Sequence, residues 1–132
     1  MRITADTNVL VRAITEDDPR QSEIAQIELR QAELVAVPLP VLCELAWVLS
    51  RGYNIAAVEV AEAIRRVINA ANVVVDRQAA EAGVSLMDAG GDFADGVIAF
   101  DGARLGAEAF VSFDKRAVSL LNARNMPAIL LG

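Results

Sequence analysis

Short apolar runs alternate along this chain with longer segments in which apolar residues recur every three or four positions. "RITA" (2–5), "LVAV" (34–37), "NVVV" (72–75), "AFVS" (109–112) and "AILL" (128–131) have the length and composition of buried strands. Between them, helical periodicity predicts helices over 8–15, 20–32, 39–51, 55–70, 77–89, 94–106 and 115–123. That alternation predicts an α/β fold with a mainly parallel five-stranded sheet covered by helices. Right-handed crossovers then bring the strand carboxyl ends to one edge, where open α/β folds form their clefts.

With 132 residues and no repeat, low-complexity segment or Gly-, Ser- or Pro-rich linker, residues 1–132 read as a single domain. Hydrophobic residues make up 55% and aromatics 5%, so Ala, Val, Leu and Ile build the core and stacking surfaces are few. The longest apolar stretch, "LVAVPLPVLCELAWVL", is broken by Pro38, Pro40 and Glu44, short of the roughly 20 clean residues of a membrane span. The N-terminus lacks the pattern of a secretory signal, and the lone Cys43 cannot form an internal disulfide. A soluble, cytoplasmic protein is the expectation.

The net charge is −6, from 18 acidic and 12 basic residues, and there is no histidine. General attraction to nucleic acid is therefore disfavoured, and any such contact has to be local. Without histidine, Ser-His-Asp and Cys-His catalysis and the commonest zinc ligand are excluded. Acid–base chemistry falls to carboxylates, Lys115, Tyr53 or a metal-bound water.

Four of the acidic residues fall where chemistry is easiest to place. Asp6, in "RITADTNVLVRA", closes the first strand and opens the first helix, a position that suits a helix cap as well as a site. Asp92 and Asp95, in "GGDFADGVIAF", repeat the ambiguity as an N-cap and a third helical residue, and Asp114 in "VSFDKRAV" again stands between strand and helix. Glu44 differs, because Val41, Leu45 and Val48 share its side of a helix and predict burial, where capping is unavailable. A buried carboxylate needs a cation, either Arg12 or Arg51 or a metal ion.

Taken together, the strand ends supply Asp6 and Asp114, and the helices after strand 2 and before strand 4 supply Glu44 and Asp95. Two carboxylates about 4 Å apart repel by about 4 kcal/mol at an effective dielectric of about 20, so four in one place call for divalent cations. Oxygen-only ligands favour Mg2+ or Mn2+. Such ions generate hydroxide and clamp phosphoryl oxygens without histidine, and Thr7 and Asn8 would then orient Asp6 or the phosphate.

"ADTNVLVR", a Glu in the helix after strand 2, "DFADGVIA" and "VSFDKRAV", in that order, resemble the PIN-domain ribonucleases, and specifically the VapC-type toxins of toxin–antitoxin modules. The resemblance implies a three-layer α/β/α domain that cuts RNA with Mg2+ or Mn2+ and is neutralised by a cognate antitoxin. It places the acidic quartet on Asp6, Glu44, Asp95 and Asp114, with Asp92 as an accessory acid and Thr7, Asn8 and Ser112 in support. Arg12 is assigned either to a scissile phosphate or to an ion pair. Asp101 departs from the family pattern, since a neutral or basic residue is expected there.

Other features carry less. Lys115 and Arg116 at a helix start suit phosphate contact or solvent, Cys43 reads as a small buried hydrophobe, and Arg65–Arg66 is too short for a nucleic-acid patch. Trp47 and Leu49 read as core or as the surface of a homodimer. Two alternatives stay open: a receiver-like phosphoacceptor domain built on Asp76 and Lys115, and a PIN-like module that binds RNA or protein without cutting.

Overall fold

A computed structural model describes residues 1–132 as two compact units, Met1–Asp76 and Arg77–Gly132. The first holds β1 (Arg2–Thr4), α1 (Thr7–Thr15), α2 (Pro19–Gln31), β2 (Leu34–Ala36), α3 (Leu39–Trp47), a π-helical turn (Val48–Gly52), α4 (Ala57–Asn69) and β3 (Val73–Val74). The second holds α5 (Arg77–Asp88), α6 (Phe93–Arg104), β4 (Phe110–Ser112), α7 (Lys115–Ala123) and β5 (Ala128–Leu130). All five expected strands and seven expected helices are present, and every strand pair is parallel, as an α/β fold requires. No helix is long and apolar enough to cross a membrane.

In the first unit the strands pair in the order β1–β2–β3, with Ile3 opposite Val35 and Val35 opposite Val73. Parallel neighbours need crossover segments, supplied here by α1–α2 and α3–α4. Leu10 and Val11 of α1, Leu42, Leu45 and Leu49 of the α3 segment, and Val60, Ile64 and Ile68 of α4 are buried with Val35 and Val37. Helix starts follow local chemistry: Asp18 accepts from the Gln21 N–H at 3.0 Å, and Pro19 at the first helical position gives up an amide that needs no partner.

The second unit pairs β4 with β5, Val111 opposite Ile129. The single five-strand ladder expected from the sequence is thus realised as ladders of three and two strands. Strands of two or three residues offer few ladder hydrogen bonds, and apolar runs specify a strand without specifying its neighbour. Leu86, Ala99 and Leu121 form the core here, with Phe110, Leu120, Met126 and Ala128 packed against them.

Helices α5 and α6 meet at two glycines. A Cβ on Gly96 would stand 2.6 Å from the Ala82 carbonyl oxygen, and one on Gly83 would stand 2.6 Å from the Phe93 ring. Absence of side chains lets the helix backbones close together directly beside Asp95.

The other unforeseen feature is a polar clasp in the first unit. The Asp17 carboxylate accepts from the Tyr53 hydroxyl at 2.8 Å, from Thr15 at 2.9 Å and from Arg12 at 2.9 and 3.1 Å. It joins the end of α1 to the chain that leaves the π-helical turn. The Tyr53 bond first, then Thr15 and Arg12, lower the Asp17 pKa to about 2.

Two outcomes follow. Gly96→Ala lowers stability by about 1–3 kcal/mol in denaturant unfolding, because the backbone clash outweighs the roughly 1 kcal/mol helix-propensity gain; a stabilised variant would contradict the close approach. The clasp contributes fully above the ordinary carboxylate pKa, and its contribution is lost as pH falls toward about 2. Tyr53→Phe therefore raises the Asp17 pKa in an NMR titration, and an unmoved value would dismiss the clasp.

Candidate functional site

Asp6 follows β1 and Ala5, whose N–H is held by the Ala36 carbonyl of the neighbouring strand at 3.0 Å. Its Oδ1 accepts from the Thr7 N–H at 2.8 Å, so it caps α1. The side chain is exposed, Thr7 is buried and Asn8 is exposed. A backbone fixed on one side by the sheet and on the other by the helix start thus presents a carboxylate to solvent.

Glu44 corrects an expectation: it is exposed. The buried stripe of α3 runs through Leu42, Leu45, Ala46 and Leu49, while Val41 and Val48, the residues that predicted a buried Glu44, are only half-buried. The apolar arc therefore centres a step away from the glutamate. Neither expected arginine answers it, for Arg12 is held by Asp17 and Arg51 is exposed. Leu49 is core, whereas Trp47, one turn after Glu44, is 61% exposed. Cys43 is half-buried rather than buried.

In the second unit three aspartates come into electrical contact. Asp92 caps α6 by accepting from the Ala94 N–H at 2.9 Å. Asp114 caps α7 by accepting from Ala117 N–H at 3.1 Å, while its own N–H donates to the Ser112 hydroxyl at 2.9 Å. Both caps use Oδ1, as does Asp6, which leaves Oδ2 able to take another partner. Capping, then, is the local role of all three.

Asp95 stands apart. It is half-buried in the first turn of α6, and its carboxylate accepts no hydrogen bond. Burial foremost, then the charges of Asp92 and Asp114, raise its pKa above the ordinary aspartate value. As the third helical residue it does not reach back to the Asp92 N–H, so no reciprocal capping box forms. A charge kept short of both water and hydrogen bonds is the kind of perturbed group that marks functional sites.

The remaining residues sort plainly. Arg116 donates from Nε and Nη2 to the Gly90 carbonyl at 3.3 and 3.0 Å, which ties the α5–α6 loop to the start of α7. Lys115 is exposed. Asp101 pairs with Arg104 one turn on, so its unexpected charge is answered locally. Sequence reading missed the Arg116 tie, whose only signal was an arginine after the cap and a glycine pair before Asp92.

In neither unit do three carboxylate or cysteine side chains gather closely enough to hold a metal ion among themselves. The donor chemistry nevertheless fits a hard divalent cation. Mg2+ keeps several waters and takes only one or two carboxylates directly, so it requires no closed cage. A cation near Asp95 would offset the like charges of Asp92 and Asp114, which add to burial in raising its pKa.

Because Asp95 has a raised pKa, the folded protein holds that proton more tightly than the unfolded chain, and this contribution is lost as pH rises through the folded value. Asp95→Asn accordingly raises Tm at pH 7, with the difference vanishing below the ordinary aspartate pKa of about 3.9. A lower Tm for the variant at pH 7 would contradict this account.

Among curated proteins, none matches the chain. It does match the PIN domain family over residues 3–120, a span that starts in β1, ends within α7 and includes Asp6, Glu44, Asp92, Asp95 and Asp114. With most of its length matched, and with parallel strands alternating with helices, the chain belongs to the PIN domain family.

Proposed function

We propose that this protein is a metal-dependent endoribonuclease, the toxin of a VapC-type toxin–antitoxin pair acting in the cytoplasm. PIN domains are commonly metal-dependent nucleases. The observation that carries the reading for this chain is Asp95, a half-buried carboxylate without a hydrogen bond whose neighbours Asp92 and Asp114 add like charge. One family match running through both units supports treating them as one domain.

On this reading Asp6 and Asp95 are the principal ligands of Mg2+ or Mn2+, and Glu44 and Asp114 complete the set or orient water. Bound there, the cation supplies an ionised water near neutral pH and charge for the phosphoryl oxygens. The chain's own part is to hold carboxylates on fixed helix starts, to take the proton of the attacking water in the absence of histidine, and to steady Asp114 through Ser112. Thr7, Asn8 and Asp92 are supporting residues. The bidentate bond to Asp17 favours the ion-pair role of Arg12 over a phosphate contact.

For partners, α1 and α2 leave a groove of about 500 Å3 lined by Val9, Ile24 and Ala25 with Asn8, Gln21 and Glu28 at hand. Its apolar floor suits a helix of an antitoxin. Exposed Trp47 supports a homodimer, since tryptophan is enriched where proteins meet. Membership of the PIN family removes the basis for a receiver domain built on Asp76 and Lys115. Exposed Glu44 favours one rival, a PIN module that binds without cutting.

The two readings part on a single comparison. Purified parent protein cuts RNA when Mn2+ or Mg2+ is added, and Asp6→Asn and Asp95→Asn each lose on the order of 100-fold in rate. Mn2+ also raises the Tm of the parent and not that of Asp95→Asn. Undiminished cutting by either variant refutes the assignment, and a folded parent that binds RNA without cutting it establishes the rival.

A further inference from the structure

Of the four phenylalanines, Phe93 is buried and Phe100 and Phe110 are half-buried, the Phe100 ring lying 4.9 Å from the Arg104 guanidinium. Phe113 is 77% exposed. It immediately precedes Asp114, the α7 cap whose charge reaches Asp95.

This exposure belongs to a fixed backbone. The carbonyl of Ser112 accepts from the Leu131 N–H at 2.8 Å, and the Ser112 hydroxyl accepts from the Asp114 N–H at 2.9 Å. The Asp114 carbonyl then accepts from Val118 N–H at 3.1 Å as α7 begins. Phe113 is thus held between a strand end and a helix start. Gly132 lies beside the ring and leaves most of it open. Capping α7 requires Asp114 alone, so nothing local calls for an aromatic residue at this position.

We propose that Phe113 is a nucleobase subsite, on which an unpaired base next to the scissile phosphate stacks. The inference rests on the nuclease reading above. A strand whose phosphate lies at Asp95 and Asp114 has its neighbouring base within one nucleotide, and Phe113, next to Asp114 in the chain, offers an exposed flat surface for it. Net charge points the same way. With −6 overall, the chain gains little from general attraction to phosphates, whereas stacking on a π-face is indifferent to that field. Exposed Lys115, on the other side of Asp114, supplies one local positive charge for the backbone. A base held on Phe113 has to be splayed from its neighbours, so the subsite selects unpaired strands over duplex.

The test measures binding of fluorescein-labelled single-stranded oligoadenylate and oligouridylate to the full chain in the Asp95→Asn background without added divalent cation, where cutting is slowed. Phe113→Ala lowers affinity about tenfold, equivalent to about 1.4 kcal/mol and within the range seen for base–aromatic stacking. Phe113→Tyr restores it, and adenine is favoured over uracil. In a Trp47→Phe background, the indole introduced by Phe113→Trp is quenched by the single strand and not by duplex RNA. In the uncrippled protein, Phe113→Ala raises KM and leaves kcat unchanged. Equal affinity of Phe113→Ala and its parent overturns the subsite while a cutting parent keeps the nuclease reading; a parent that neither binds nor cuts RNA ends both.

Discussion

Burial of the Asp95 carboxylate without a hydrogen bond, beside the like charges of Asp92 and Asp114, is the constraint on which the second unit's candidate site depends. Two of the three are stabilised at once by backbone amides at helix starts, so their charge is anchored where it stands. Asp95 receives no such bond and is withdrawn from part of the water. The close Gly83–Gly96 approach of α5 and α6 and the buried Phe93 fix the helix turn that carries it. Stability is given up at one residue to keep a carboxylate short of partners, which is the arrangement a cation can exploit.

The same economy recurs at each acid. A cap fixes direction through one oxygen and leaves the other free, so helix stability and ligand chemistry do not compete for Asp6, Asp92 or Asp114. An arginine tie from Arg116 to Gly90 and a hydroxyl from Ser112 hold the two acidic segments of the second unit without neutralising them. By contrast Asp17, in the first unit, is surrounded by donors from Tyr53, Thr15 and Arg12, and its carboxyl is pulled down to about 2. A saturated acid serves structure, and an unsaturated one is available for chemistry.

Much of this was legible in the residues. Strand positions followed from short apolar runs, and the starts at Asp6, Asp92 and Asp114 followed from side chains able to cap a helix. What failed depended on where an apolar arc centres and on distant partners. Glu44 was expected in the core because Val41 and Val48 flank it, yet Leu42, Leu45 and Leu49 define the buried side. Arg12 found Asp17 across a bend at Glu16, whose φ of 57 no periodicity announces. The π-helical turn after Trp47 shortened a helix that the pattern would have continued to 51.

A divalent cation bound at Asp95 would relieve the cost of its buried, crowded charge. The most direct measurement is the Asp95 carboxyl pKa, followed by carbon NMR with and without saturating Mg2+. The expected result is a value above the ordinary aspartate pKa of about 3.9 in the absence of Mg2+ and a fall when Mg2+ is added. A value that starts at the ordinary level, or that Mg2+ leaves unmoved, would contradict it.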